Sequence, residues 1–210
     1  MTGDQSSQDF AARYDVSRET LERLERYADL IIKWNKSINL VGKSTEASIW
    51  TRHFADSAEA FAVANKTEGS WLDMGSGGGF PGAVVAIIAA EKAPNLKVTC
   101  IEADIRKASF LRTLSTTIGV PFGILSRRIE ETPPHNASVV SARALSPLTR
   151  LLDHAERHLS DTGIAVFHKG ESWQEEVDKA LETWDFSVDI HDSPTNPGSV
   201  LLTIGDLKRV

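Results

Sequence analysis

Between Trp71 and Gly82 the chain reads Trp-Leu-Asp-Met-Gly-Ser-Gly-Gly-Gly-Phe-Pro-Gly, an apolar run that breaks into glycines and resumes as an apolar stretch over 82–91. Glycine loses more conformational freedom on folding than any other residue, so a cluster at 75, 77, 78 and 79 implies a backbone path that side chains would forbid. A short buried strand, a tight glycine turn and a helix in immediate succession open a βαβ unit. That commits the chain to a parallel sheet whose connections cross over it.

The rest of the sequence agrees with this commitment. Short apolar runs stand at 71–74, 98–102, 123–125, 138–141 and 164–167, and helical periodicity fills 82–91, 105–118, 147–159 and 173–184. This alternation predicts a doubly wound, Rossmann-like α/β sheet with helices on both faces. The last two runs, 186–190 and 200–204, have only the turn-rich segment 192–198 between them. They are expected to form a C-terminal antiparallel hairpin that closes the sheet.

Ahead of the sheet, Leu21, Leu24, Ala28 and Ile31 fall on one helical stripe, with Ser17 as N-cap and an end near Lys36. A second helix is expected over 45–64, with Trp50, Phe54, Ala58 and Phe61 on its buried face. The first ten residues read as a frayed tail. The expected organisation is a helical extension over 1–66 and a ligand-binding domain over 67–210.

The single cysteine, Cys100, excludes an internal disulfide and any multi-cysteine metal site. No metal ligand set is expected elsewhere. No apolar run reaches the ~18 residues of a membrane span, and the start lacks a signal-peptide pattern, so a cytoplasmic protein without membrane contact is expected. A net charge of −6 argues against coating nucleic acid through bulk charge. It leaves room for a local patch, for which Lys33, Lys36, Lys43, Arg52, Arg106, Lys107, Arg112, Arg127 and Arg128 are candidates.

Two ligands suit the glycine loop. Gly77, Gly79 and Gly82 fit a G-x-G-x-x-G frame, and Glu102 lies 23 residues beyond Gly79, as the ribose acid of a dinucleotide site does. This keeps an NAD-linked oxidoreductase open. Asp73 favours the other ligand: an acid at the strand tip suits the ammonium of a methionine moiety and opposes a pyrophosphate. S-adenosylmethionine is therefore the expected cofactor, with Asp73, Gly75, Gly77 and Glu102 around it.

Beyond the loop, further segments share one resemblance. Asp73 to Gly82 with its Gly-Phe-Pro-Gly ending, Lys33-Trp-Asn-Lys, Ile38-Asn-Leu40, Arg52-His53 with Asp56-Ser57, Arg106-Lys107, Ser141-Ala-Arg-Ala144 and Lys169-Gly170 all contribute. In order and spacing they resemble the glucose-inhibited division protein B family. Those are bacterial enzymes that methylate a guanine N7 in the 530 loop of 16S ribosomal RNA. The resemblance implies donor contacts at Gly75, Phe80, Ile129, Glu130 and Arg143. It also implies 16S ribosomal RNA, within the small ribosomal subunit, as the partner of a monomeric enzyme. Arg143 and Lys169, after strands four and five, are the expected catalytic pair, Arg143 in the base pocket or on the donor carboxylate and Lys169 on RNA phosphate. An alanine standing between Ser141 and Arg143 leaves open which of the two takes the fourth-strand role. A methyltransferase acting on another RNA or a small molecule is the alternative within the same chemistry.

His53, Asp56 and Ser57 share one helix face and read as a hydrogen-bond cluster between the extension and the sheet. No Asn/Asp-Pro-Pro-aromatic motif follows the fourth strand, and Thr132-Pro-Pro-His135 precedes it. That absence suits an N7 lone pair, which needs no proton removed before attack.

Overall fold

The computed structural model describes residues 3–193 and 196–210. Strands β1 (Glu68–Met74), β2 (Asn95–Ile101), β3 (Gly123–Leu125), β4 (Ala137–Arg143), β5 (Leu159–Lys169), β6 (Trp184–Asp192) and β7 (Val200–Arg209) form one sheet in the order β3-β2-β1-β4-β5-β7-β6. The first five run parallel. β7 lies antiparallel between β5 and β6. The doubly wound sheet with a closing hairpin is thus the fold. The order reverses at β1, whose neighbours are β2 and β4, and the carboxyl ends there form the crevice where open α/β sheets hold ligands.

Strand parity sorts the sheet residues between two cores. Trp71, Cys100, Val139 and Val166 face helices α5 (Gly82–Lys92) and α6 (Ile105–Ile118). Leu72, Met74, Ile101, Val140 and Phe167 face α7 (Leu148–His158) and α8 (Trp173–Ala180). The N-terminal helices add to the first of these. Leu21, Leu24, Ala28 and Ile31 of α2 (Arg18–Asn35) are buried in the same cluster as α5 and α6, and the Ser17 hydroxyl accepts from the Thr20 N–H as N-cap.

Three expectations are corrected. The opening segment contains helix α1 (Gly3–Tyr14), not a frayed tail. Its one large apolar anchor, Phe10, is buried against Trp50 at 5.6 Å and Phe54 at 6.5 Å. A single anchor in a polar stretch leaves no periodicity to read. The helix expected over 45–64 is three pieces: α3 (Lys43–Glu46), a π-helical turn (Ile49–Phe54) and α4 (Ala55–Ala64). Trp50, Phe54 and Ala58 are buried as expected, while Phe61 is half-buried. Finally, α8 stops at Ala180, because Trp184 is needed, buried, as the first residue of β6.

Candidate active site

Two cavities open at the carboxyl ends of the parallel strands. The first, about 360 Å³, is lined by Gly75, Gly77, Glu102, Ile129 and Glu130 among others, with Lys107, Arg127, Arg128 and Arg150 in its walls. Glu102 stands just beyond β2 and ties its two sides together. One carboxylate oxygen accepts from the Gly77 N–H at 2.7 Å and the other from the Asp104 N–H at 2.8 Å. Each oxygen carries a second lone pair, so the same carboxylate has capacity for two further donors such as a vicinal diol. Gly77 sits at φ 56°, and a Cβ there would meet no atom closer than 3.9 Å, because that side of the turn is open space. The turn is therefore kept bare by conformation and by the cavity, not by protein packing.

Asp73 does not line this cavity. It is fully buried behind the loop, where Oδ1 accepts from the Ser141 hydroxyl at 2.8 Å and Oδ2 from the Gly82 N–H at 3.2 Å. Trp71 Nε1 donates in turn to Ser141 Oγ at 2.8 Å. Burial pushes the Asp73 carboxyl up to about 6, against the hydrogen bonds that favour its charged form. A Cβ on Gly82 would lie 2.6 Å from Asp73 Cβ and 2.8 Å from Cys100 Sγ. This glycine is required by the approach of α5 to β1 and β2. The sequence-based reading put Asp73 against a ligand ammonium; the structure makes it the peg that seats the loop.

The second cavity, about 320 Å³, is lined by Arg52, His53, Asp56, Arg143, His168 and Lys169, with the β6–β7 connection. Ala144 belongs to the walls of both cavities. Arg143 donates from Nη1 to the Arg52 carbonyl at 3.2 Å and from Nη2 to His53 Nδ1, and its guanidinium lies 4.8 Å above the Phe80 ring. Burial, with the Arg143 and Arg52 charges beside it, pulls the His53 imidazole down to about 3. At neutral pH it is an acceptor, which is what Arg143 needs. Phe80 therefore does not line the first cavity. It stacks on Tyr27 at 5.5 Å and forms the floor beneath Arg143.

β4 keeps an unbroken register with β5 from Val139 to Arg143, so Ala142 is an ordinary strand residue and not a bulge. Ser141 and Arg143 lie two apart on one face of the strand and do different work, Ser141 under the loop and Arg143 in the second cavity. Lys169 lies two residues after Phe167 and so faces the α7–α8 side. Its ammonium is 2.6 Å from Glu176 and donates to the Ser146 carbonyl at 3.2 Å, with a side chain only 8% exposed. Glu176 also accepts from the Leu148 N–H at 2.7 Å, at the start of α7. The structure thus seats Lys169 in an ion pair rather than at a phosphate. Lys169→Ala is expected to lower stability by about 2 kcal/mol, by leaving Glu176 half-buried without its cation. The salt dependence of RNA affinity should not change. Urea unfolding and a salt titration of binding check the two halves.

The sequence reading missed the part played by His53 as the acceptor that fixes Arg143, and by Arg150 and His154 as walls of the first cavity. Their i, i+4 spacing on α7 was the available signal for the latter pair. The His53–Asp56–Ser57 cluster does join the N-terminal helices to the sheet. His168 Nε2 donates to the Asp56 carbonyl at 3.0 Å, and the Ser57 hydroxyl donates to the His53 carbonyl at 2.7 Å. Among the described residues, no group of three or more His, Cys, Asp or Glu is placed to hold a metal, and no helix is long and apolar enough to cross a membrane.

Residues 20–196 match the family GidB, rRNA small subunit methyltransferase G. The chain belongs to this family. A ribosomal RNA small subunit methyltransferase G from Ruegeria sp. (strain TM1040) is 49% identical over 196 residues, 93% of this chain and 95% of the relative. Its counterpart from Paracoccus denitrificans (strain Pd 1222) is 45% identical over 195 residues, 92% of this chain and 98% of the relative. Solved structures show the same fold at low identity. A SAM-dependent O-methyltransferase from Thermotoga maritima gives a TM-score of 0.59 at 15% identity, covering 88% of this chain and 72% of that one. The ribosomal protein L11 methylase from Lactobacillus delbrueckii subsp. bulgaricus gives 0.57 at 13% identity, covering 79% and 80%.

Proposed function

We propose that this enzyme transfers the methyl group of S-adenosylmethionine to N7 of a guanine in the 530 loop of 16S ribosomal RNA, with the assembled small ribosomal subunit as its substrate. The family match over residues 20–196 carries this reading. The first cavity fits the donor: the open side of Gly77 admits close approach, Glu102 has acceptor capacity for the ribose hydroxyls, and Ile129 with Glu130 forms the opposite wall. Gly75 lies in the same wall. Asp73 acts on the donor through the loop it anchors.

The donor supplies an electrophilic methyl on a sulfonium. Guanine N7 has an in-plane lone pair and needs no general base, so the chain's own task is positioning. Arg143, held by His53 and the Arg52 carbonyl over Phe80, is a fixed guanidinium at the mouth of β4, suited to a base oxygen. Lys107, Arg127, Arg128 and Arg150 gather positive charge at the donor cavity on a chain of net charge −6. A local patch of this size favours recognition of a folded RNA shape over bulk phosphate binding.

Small ribosomal subunits from a strain lacking the modification should accept one methyl per particle. An unrelated RNA at equal nucleotide concentration should accept almost none and bind weakly, with steep loss in salt. Equal labelling of both, or rapid methylation of a small molecule with neither RNA labelled, would defeat the reading.

A further inference from the structure

We infer that the second cavity receives the target base and that Asp56 reads its guanine identity there. The inference rests on the guanine-N7 reading above and assigns the residue that makes it specific. Ala144, shared by both cavity walls, places this space directly beside the donor cavity and across the end of β4. A base bound there meets the methyl at the shared wall, whereas on the outer face of the N-terminal helices it would not.

The groups facing the cavity are complementary to guanine in particular. Asp56 and Arg143 stand 3.9 Å apart, with side chains 13% and 18% exposed. That is an ion-pair distance, and it sets a carboxylate and a guanidinium side by side in the cavity wall. Guanine's pairing edge offers N1–H and the exocyclic amine as donors beside O6 as acceptor. A carboxylate matches the two donors and a guanidinium matches O6. Adenine would turn a ring-nitrogen lone pair toward the carboxylate, which is repulsive.

The carboxylate is held for this task. Asp56 Oδ1 accepts from the Ser193 hydroxyl at 3.2 Å, and its backbone carbonyl is held by His168. The π-helical turn Ile49–Phe54 runs directly into α4, so Arg52, His53 and Asp56 are delivered together to the cavity wall. Turns of this kind occur often at functional sites.

The same placement favours the reaction. The N7 lone pair forms the new N–CH3 bond as the S–CH3 bond breaks and its electron pair returns to sulfur. The positive charge leaves the sulfonium and arrives on the purine, with no proton transferred. Asp56 then faces a cation it did not face before transfer, so its attraction grows along the reaction. Arg143 opposes that charge less than a bare cation would, because the Arg52 carbonyl, His53 and the Phe80 ring share it.

The test uses small subunits reconstituted with guanine or with inosine at the target position, inosine lacking only the exocyclic amine. The wild-type enzyme should lose about tenfold or more in kcat/KM on inosine, the size of one charge-assisted hydrogen bond. Asp56→Asn should lose activity on guanine and bring the guanine–inosine gap below about twofold, with donor affinity by calorimetry unchanged. Asp56→Glu, which keeps the charge, should retain more of the gap. Wild-type enzyme indifferent to inosine would overturn the assignment, with or without a foldable variant. So would an Asp56→Asn enzyme that is slower yet fully discriminating, since that is what a purely structural residue gives. Wild-type enzyme that leaves guanine subunits unmethylated would instead bring down the guanine-N7 reading.

Discussion

Gly77→Val is expected to abolish donor binding, with at least a hundredfold loss of affinity by calorimetry, while the protein remains folded. The backbone there sits at φ 56°, where a β-branched residue costs about 1–3 kcal/mol. That is affordable against a typical domain stability of about 5–15 kcal/mol. No protein atom lies within 3.9 Å of the new Cβ, so its two methyls enter the cavity instead of the core. Gly82→Ala provides the contrast. Its Cβ would strike Asp73 and Cys100, so the damage should appear as lost stability, read by urea unfolding. A folded Gly77→Val enzyme with normal donor affinity would remove the loop from the donor site.

Acid is expected to destabilise this protein progressively below about pH 6.5, and histidines are the reason. Burial holds His53 down to about 3, helped by Arg143 and Arg52, and burial holds His158 and His168 down to about 4. Each is neutral in the folded state and takes up a proton in the unfolded chain near its ordinary value of about 6.5. Between pH 6.5 and 4 the unfolded state therefore binds more protons, and stability falls with pH by about 1.4 kcal/mol per pH unit for each histidine. Asp73 works the other way. Its carboxyl is raised to about 6, so the folded state binds the extra proton between about 6 and 4 and gains stability there as pH falls. Three against one leaves a net loss of about 4 kcal/mol by pH 5, a large share of a typical domain stability of about 5–15 kcal/mol. Unfolding free energies at pH 7.5, 6.5 and 5.5 check this. A flat profile would show that the three imidazoles are not held neutral.

Lys169 and Asp73 show where reading along the chain stops being sufficient. Both were singled out correctly as charged residues at strand ends near the crevice. Charge at a strand end, however, does not say which way the side chain goes. Parity does: Lys169 shares a face with Phe167 and meets Glu176 of α8, while Asp73 shares a face with Trp71 and lies under Gly82. That parity was present in the sequence, but its assignment to one side of the sheet required the helices to be placed. Phe80 likewise reads as a loop residue facing the donor, and the stack with Tyr27, far away in the chain, draws it into the core beneath Arg143.

By itself the sequence determined what depends on neighbours along the chain. The glycine turn follows from backbone sterics, the alternation of apolar runs from the periods of strand and helix, and the Ser17 cap from an orphan N–H three residues away. Those local rules sufficed for the parallel sheet and its closing hairpin; the family came from the resemblance of motifs in their order and spacing. The tertiary structure alone decided what depends on residues far apart. His53 fixes Arg143 across 90 positions, Ser141 reaches Asp73 across 68, and Ala144 divides one crevice into two cavities. Burial sets the charge of His53 and raises Asp73, and burial is a property of everything packed around a group. A linear pattern can nominate such residues, but only the folded surroundings fix their partners and protonation.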